Sequence, residues 1–171
     1  MSNFDESTKV TISNNPYIYD LHATIEEIFM LIKNEKDLSF RKKNELVKLA
    51  KNKQIACLFV ENKLAGFLIS HKLSQRLIEI NGLFIKTEFR GNNLSSLLIN
   101  NVIANKKYCY FAATFLKNIE KILEKHGFEK TNLHYLTFRE KIAFFNQRFH
   151  PHRIKEVLRH KKSHSLIFMK K

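Results

Sequence analysis

The stretch LFIKTEFRGNNLSSLLINNVI, Leu83 to Ile103, changes its hydrophobic period midway. Leu83, Phe84 and Ile85 read as part of a buried strand, whereas Leu94, Leu97, Leu98 and Val102 recur at helical spacing. Between the two stands RGNNLSS, with an Arg, a Gly, two Asn and two Ser that hydrophobic packing does not require. A strand that turns directly into a helix leaves the first helix amides without intrachain acceptors, and the positive end of the helix dipole converges on the same point. Such a turn attracts an anion. Gly91 permits close backbone approach, Asn92 and Asn93 tolerate unusual backbone angles, and Ser95 or Ser96 can cap the helix or add a hydroxyl donor. Arg90 adds a full positive charge beside the turn. With the amides around Leu94, this set suits a pyrophosphate better than a single carboxylate, because each oxygen finds its own donor. The competing reading is a helix N-terminus with no ligand.

The surrounding sequence supplies the context. The 171 residues, 44% hydrophobic, suit one globular domain spanning 1–171, large enough for a sheet with helices on it. KVTISNN reads as a first strand. Leu21, Ile25, Ile28, Phe29 and Ile32 then mark a helix from Asp20, and RKKNELVKLAKN marks a second, more polar one. IACLFV, a turn at ENK, LAGFLISHKL and RLIEINGLFIK form an antiparallel meander. After the strand and helix of 83–103 come a strand in KYCYFAATF, a short helix in KNIEKILEKHG stopped by Gly127, a basic helical insertion at about 138–163, and a final strand in SLIFMKK. The expected class is α/β, or α+β in stricter usage.

No run of eighteen apolar residues is present, and MSNFDESTKV lacks the character of a signal peptide, so a soluble cytoplasmic protein with no membrane partner is expected. Cys57 and Cys109 have no CxxC partner; both are expected to be buried thiols, and no metal site is expected. The formal charge is +14, and between Arg139 and Lys162 eight basic residues face two acidic ones. That field favours anionic partners, nucleic acid among them, and disfavours polycationic acceptors such as polyamines. A solvated helix face accounts for the same charges without any partner.

FIKTEFRGNNLSSLLI resembles motif A of the GCN5-related N-acetyltransferase (GNAT) superfamily, whose Arg/Gln-x-x-Gly-x-Gly/Ala loop binds the pyrophosphate of acetyl-CoA. Arg90 takes the Arg position, Asn93 that of the first Gly and Ser95 that of the second. CLFVENKLAGFLIS, including Gly66, is similar to the hairpin preceding that motif, and NIEKILEKHGFEK resembles motif B. The resemblance implies a mixed, mostly antiparallel sheet whose fourth and fifth strands splay, with helices on both faces. It implies acetyl-CoA as cosubstrate, held by the backbone of Leu83, Phe84 and Ile85, by Arg90, Gly91, Asn92, Asn93, Leu94, Ser95 and Ser96, and by Asn118 of motif B. It also implies direct acetyl transfer to an amine of a small molecule, a protein or an aminoacyl-tRNA, by a monomer or homodimer.

For proton transfer from the acceptor, Glu79 is the candidate base; the alternative is a solvent-facing residue at a strand start. The family's motif-B Tyr is replaced by Leu123, so either the thiolate leaves unprotonated or Tyr108, Tyr110 or Cys109 stands in. His71 and His126 are expected at the surface. Two other functional classes share these features: a catalytically degenerate GNAT that senses CoA, and a basic nucleic-acid-binding module.

Overall fold

The computed structural model describes residues 8–14, 20–35, 38–148 and 166–171. Among these residues seven strands and five helices follow in the order β1 (Val10–Ser13), α1 (Leu21–Asn34), α2 (Lys43–Lys51), β2 (Ile55–Val60), β3 (Lys63–Lys72), β4 (Leu77–Ile85), α3 (Leu94–Ile103), β5 (Cys109–Thr114), α4 (Lys117–Lys125), β6 (Glu129–Thr131), α5 (Phe138–Asn146) and β7 (Ile167–Lys170). Hydrogen bonding orders the strands β1-β2-β3-β4-β5-β7-β6. Four of the pairings are antiparallel and β4 with β5 is parallel, so the expected mixed, mostly antiparallel architecture is present. Sequence periodicity missed β6, whose three residues are too few to show a period of two.

The chain divides into two compact units, one of residues 1–70 and 82–104, the other of 71–81 and 105–171. In the first, Asp20 starts α1 by accepting the amides of His22 and Ala23 at 2.9 and 3.1 Å. The apolar stripes of α1 and α2 pack into a core with Ile55, Cys57, Phe59, Phe67 and Phe84. Burial pushes the Cys57 thiol up to about 12, which makes it an inert core residue. Glu61 and Asn62 both take positive φ, 48° and 63°, and close the β2–β3 hairpin as a two-residue turn. Ala65 follows at a register shift between Leu58 and Phe59, and its carbonyl accepts the Lys86 amide at 2.9 Å.

The core of the second unit is aromatic. Phe111 of β5 meets Phe144 of α5 edge-on at 5.7 Å and Phe168 of β7 at 5.9 Å. Phe144 is thus a buried packing residue, while Phe149 lies outside the described residues. A capping box between Thr137 and Glu140 starts α5, and Gly127, at φ 79°, ends α4. The expected insertion at 138–163 is thus helical over Phe138–Asn146, and residues 149–165 lie outside the described ones.

Two burial expectations are corrected. Cys109 is exposed, because it opens β5 at the strand's end, and His71 is buried where β3 finishes. His126 is half-buried, and burial followed by the nearby Lys171 charge lowers its pKa.

Candidate functional site

The turn from β4 into α3 is built from local backbone constraints. After β4, Thr87–Phe89 makes one turn of 3-10 helix, and Gly91 follows at φ 86°. A Cβ on Gly91 would meet no atom within 4 Å, so the glycine supplies a conformation and leaves open space beside it. Asn93, standing where the family has its first Gly, is left-handed at φ 56° and ψ 19°. Asn is among the few residues with a side chain that enter this region readily, which explains how the glycine can be replaced.

Neither Asn93, nor Ser95 or Ser96, caps α3 through its side chain, so the expected hydroxyl cap is absent. The first-turn amides of α3 thus lack a side-chain acceptor. Buried Asn92 ties the loop instead, its Nδ2 donating to the carbonyls of Phe89 at 3.3 Å and Arg90 at 3.4 Å. Arg90 is exposed; its Nε donates to the Ile85 carbonyl at 3.0 Å and its guanidinium lies 5.9 Å from the Phe84 ring centroid. These contacts aim the cation along the loop while leaving its terminal nitrogens to a ligand.

The conformation of Asn93 yields a test. Asn93→Gly is expected to keep or improve acetyl-CoA affinity, while Asn93→Ala is strained by about 1–2 kcal/mol at positive φ. Titration calorimetry with acetyl-CoA compares the two. A loss of about tenfold or more in Asn93→Gly would show that the Asn side chain itself holds the ligand.

β4 carries two features that its sequence pattern does not announce. Gly82 sits mid-strand at φ 96°, so the strand bends before Leu83, Phe84 and Ile85. The parallel register runs from Leu77↔Cys109 to Ile80↔Ala112, whereas β4 itself continues to Ile85. Sequence reasoning did not foresee this bend; an isolated Gly between Asn81 and Leu83 in a strand pattern was the available signal. The second feature is the close approach of β3 to β4: a Cβ added at Gly66 would lie 2.5 Å from the Phe84 carbonyl oxygen.

In the second unit, Glu79 is fully buried, which removes the solvent-facing alternative. Arg148 reaches it from the end of α5. Its Nη1 donates to Oε2 at 3.3 Å and to the Phe144 carbonyl at 3.1 Å, its Nη2 donates to Oε1, and its guanidinium stacks 3.6 Å from the Phe144 ring centroid. Both carboxylate oxygens thus face one cation. Sequence reasoning placed Arg148 only among insertion charges, because its partner lies 69 positions away.

Tyr110 is buried and donates its hydroxyl to the Asn105 carbonyl at 3.0 Å; burial, then the neighbouring Tyr108, raises its pKa. Tyr108 is half-buried, with the Lys72 ammonium 5.9 Å from its ring centroid. Leu123, where the family has its Tyr, is buried in α4. Asn118 is exposed at the second position of α4, whose N-cap is Leu116. Among the described residues no group of three or more His, Cys, Asp or Glu could hold a metal ion, and no helix is long and apolar enough to cross a membrane.

A family model described as Acetyltransferase (GNAT) domain matches residues 33–149. The chain belongs to this acetyltransferase family. Solved GNAT structures share the fold at low identity. N-acetylglutamate synthase from Neisseria gonorrhoeae, complexed with coenzyme A and N-acetyl-glutamate, superposes with a TM-score of 0.69 at 12% identity over 97% of this chain and 35% of that one. The chain thus spans about a third of that synthase. Rv2747 from Mycobacterium tuberculosis, in complex with CoA, gives 0.68 at 14% over 94% of this chain and 97% of that one. Naa50 of Arabidopsis thaliana, held with a CoA-peptide bisubstrate analogue, gives 0.62 at 12% over 95% and 97%. Among proteins with curated descriptions, none matches this GNAT sequence.

Proposed function

We propose that the chain is an acetyl-CoA-dependent N-acetyltransferase that moves the acetyl group directly to an amine of an anionic or neutral acceptor. The observation that carries this reading is the loop from Arg90 to Asn93, with Gly91 and Asn93 at positive φ opening α3. There the α3 amides around Leu94, Ser95 and Ser96 and the Arg90 guanidinium bind the pyrophosphate. The β4 backbone at Leu83, Phe84 and Ile85 holds the pantetheine arm, and an amide there stabilises the oxyanion as the amine attacks. Asn118 of α4 adds a cofactor contact. Holding amine and thioester together supplies a further large part of the acceleration without a covalent enzyme intermediate.

Glu79 is assigned the acceptor's proton, with Arg148 fixing its orientation. Tyr108 and Tyr110 are the donors available to the departing thiolate. Tyr110 must release the Asn105 carbonyl to act, whereas Tyr108 is half-exposed. Thiolates are good leaving groups, so the step proceeds even where neither donates. Acceptor selection is assigned to the α1–α2 region and to the segment before β7, and the charge of +14 disfavours polycations. The relatives crystallised with N-acetyl-glutamate and with a peptide analogue support amino acids and peptides as first acceptors to screen.

The test has two steps on one sample. Acetyl-CoA is expected to raise the Tm by mass action, and Arg90→Ala to weaken affinity by about tenfold to a hundredfold, as loss of a charge-assisted bond does. An acceptor screen reading free CoA thiol then tests turnover. An unchanged Tm across millimolar acetyl-CoA overturns the reading.

A further inference from the structure

A second charged surface lies where β4 and β5 begin, entirely within the second unit. The register sets Leu77 beside Cys109, and the Cys109 amide donates to the Arg76 carbonyl at 2.7 Å. The residues preceding the two strands therefore lie side by side: Arg76 on one loop, Lys106, Lys107 and Tyr108 on the other. Lys72, at the end of β3, joins them through its contact with the Tyr108 ring. Among the described residues none of Lys72, Arg76, Lys106 and Lys107 forms an ion pair, and all four are exposed.

Aromatic side chains border these cations. Tyr135 stacks on Phe111 of β5, two residues beyond Cys109, with ring centroids 6.3 Å apart, and the Lys170 ammonium sits 5.2 Å from the Tyr135 ring centroid. Phe138 begins α5 three residues later and is 77% exposed, the most solvent-facing large apolar side chain among the described residues. The same region packs against the elements flanking the Arg76 loop, since Leu73 and Leu77 cluster with Leu136 and Phe144, while the Glu140 carboxylate accepts from Thr137. Glu140 is thus engaged in starting the helix, and Glu129 stands opposite Lys170 across β6 and β7. Neither acid pairs with the four loop cations.

We propose that this surface binds single-stranded nucleic acid, with Lys72, Arg76, Lys106 and Lys107 on successive phosphates and an unpaired base stacked on Phe138. Unpaired cations beside an exposed ring match a chain that offers a negative charge and a π-face at every step. A second copy of this chain fits poorly, because each copy carries +14. An acidic polypeptide would satisfy the cations and leave Phe138 without a specific role. The surface lies within the second unit, and the proposal does not depend on the acetyltransferase reading.

The probe is a fluorescein-labelled twelve-nucleotide oligo-dT followed by anisotropy, with unlabelled oligo-U of the same length and poly-L-glutamate as competitors. The expected result is binding that weakens steeply with salt, is competed by oligo-U, and falls by about tenfold in Lys106→Glu with Lys107→Glu and again in Phe138→Ala. Both variants should retain the wild-type Tm and circular-dichroism spectrum, which shows that they are folded. Lys42→Glu with Lys48→Glu makes the same charge change elsewhere and should alter affinity by less than about threefold. Equal weakening by that control pair reduces the effect to net charge and overturns the proposal. Wild-type affinity in Phe138→Ala together with full competition by poly-L-glutamate overturns it in favour of an acidic polypeptide. Absence of binding at low salt overturns it outright.

Discussion

Arg148→Ala is expected to destabilise the protein by about 3–5 kcal/mol, the usual cost of removing one partner from a buried ion pair. For a chain of this size that corresponds to roughly 6–20 °C in Tm. Glu79 is fully buried on β4, and Arg148 meets both of its oxygens. Without that guanidinium the carboxylate has no compensating charge, and its surroundings are the aromatic core around Phe111 and Phe144. Removing both members should be far milder. Glu79→Leu with Arg148→Met is expected to lie within about 2 kcal/mol of wild type, because the desolvation penalty disappears together with the attraction. Urea denaturation of the wild type, both single variants and the double variant gives the coupling energy directly.

The same set tests the proposed chemistry. With Glu79 as the acceptor's base, the folded double variant should lose activity by about a hundredfold or more while still binding acetyl-CoA. Full activity in that protein would make the pair a structural tie alone. Arg148→Ala within 1 kcal/mol of wild type would show that Glu79 finds another partner.

Gly66→Ala is the second large effect. A Cβ at this position would lie 2.5 Å from the Phe84 carbonyl oxygen, 2.6 Å from Ile85 Cδ1 and 3.2 Å from Ile85 Cα. Two of these atoms belong to backbone, so rotamer changes cannot relieve the clash and β4 has to move. Overpacking of this kind costs about 1–3 kcal/mol. The displacement falls on Phe84 and Ile85, the backbone assigned to the pantetheine arm. The variant should therefore lose much of the acetyl-CoA Tm shift even at temperatures where it is fully folded. Gly91→Ala is the informative comparison. Its Cβ has open space, and its cost is confined to backbone strain at φ 86°. If Gly66→Ala keeps the wild-type acetyl-CoA shift and stability, the close approach of β3 to β4 has no bearing on the cofactor.

The sequence by itself determined the features that rest on local chemistry. The switch from strand period to helix period across RGNNLSS, the hairpin turn at Glu61 and Asn62, and the stop at Gly127 each follow from a few adjacent residues. The same holds for Asn93, whose tolerance of left-handed angles lets the turn form without the family's glycine. Tertiary structure alone decided what covers each strand. Alternation along β4 assigns Glu79 to a face, but the burial of that face and the cation meeting it come from α5, far along the chain. Cys109 and His71 were misplaced for a related reason: exposure at a strand's end depends on which other elements reach it. Gly66 was legible as a family-like glycine, yet the physical need for it is the Phe84 carbonyl of another strand. Short-range patterns record the conformations a residue can adopt; contacts between distant segments exist only once the chain has folded, because nothing in the local sequence encodes the partner's position.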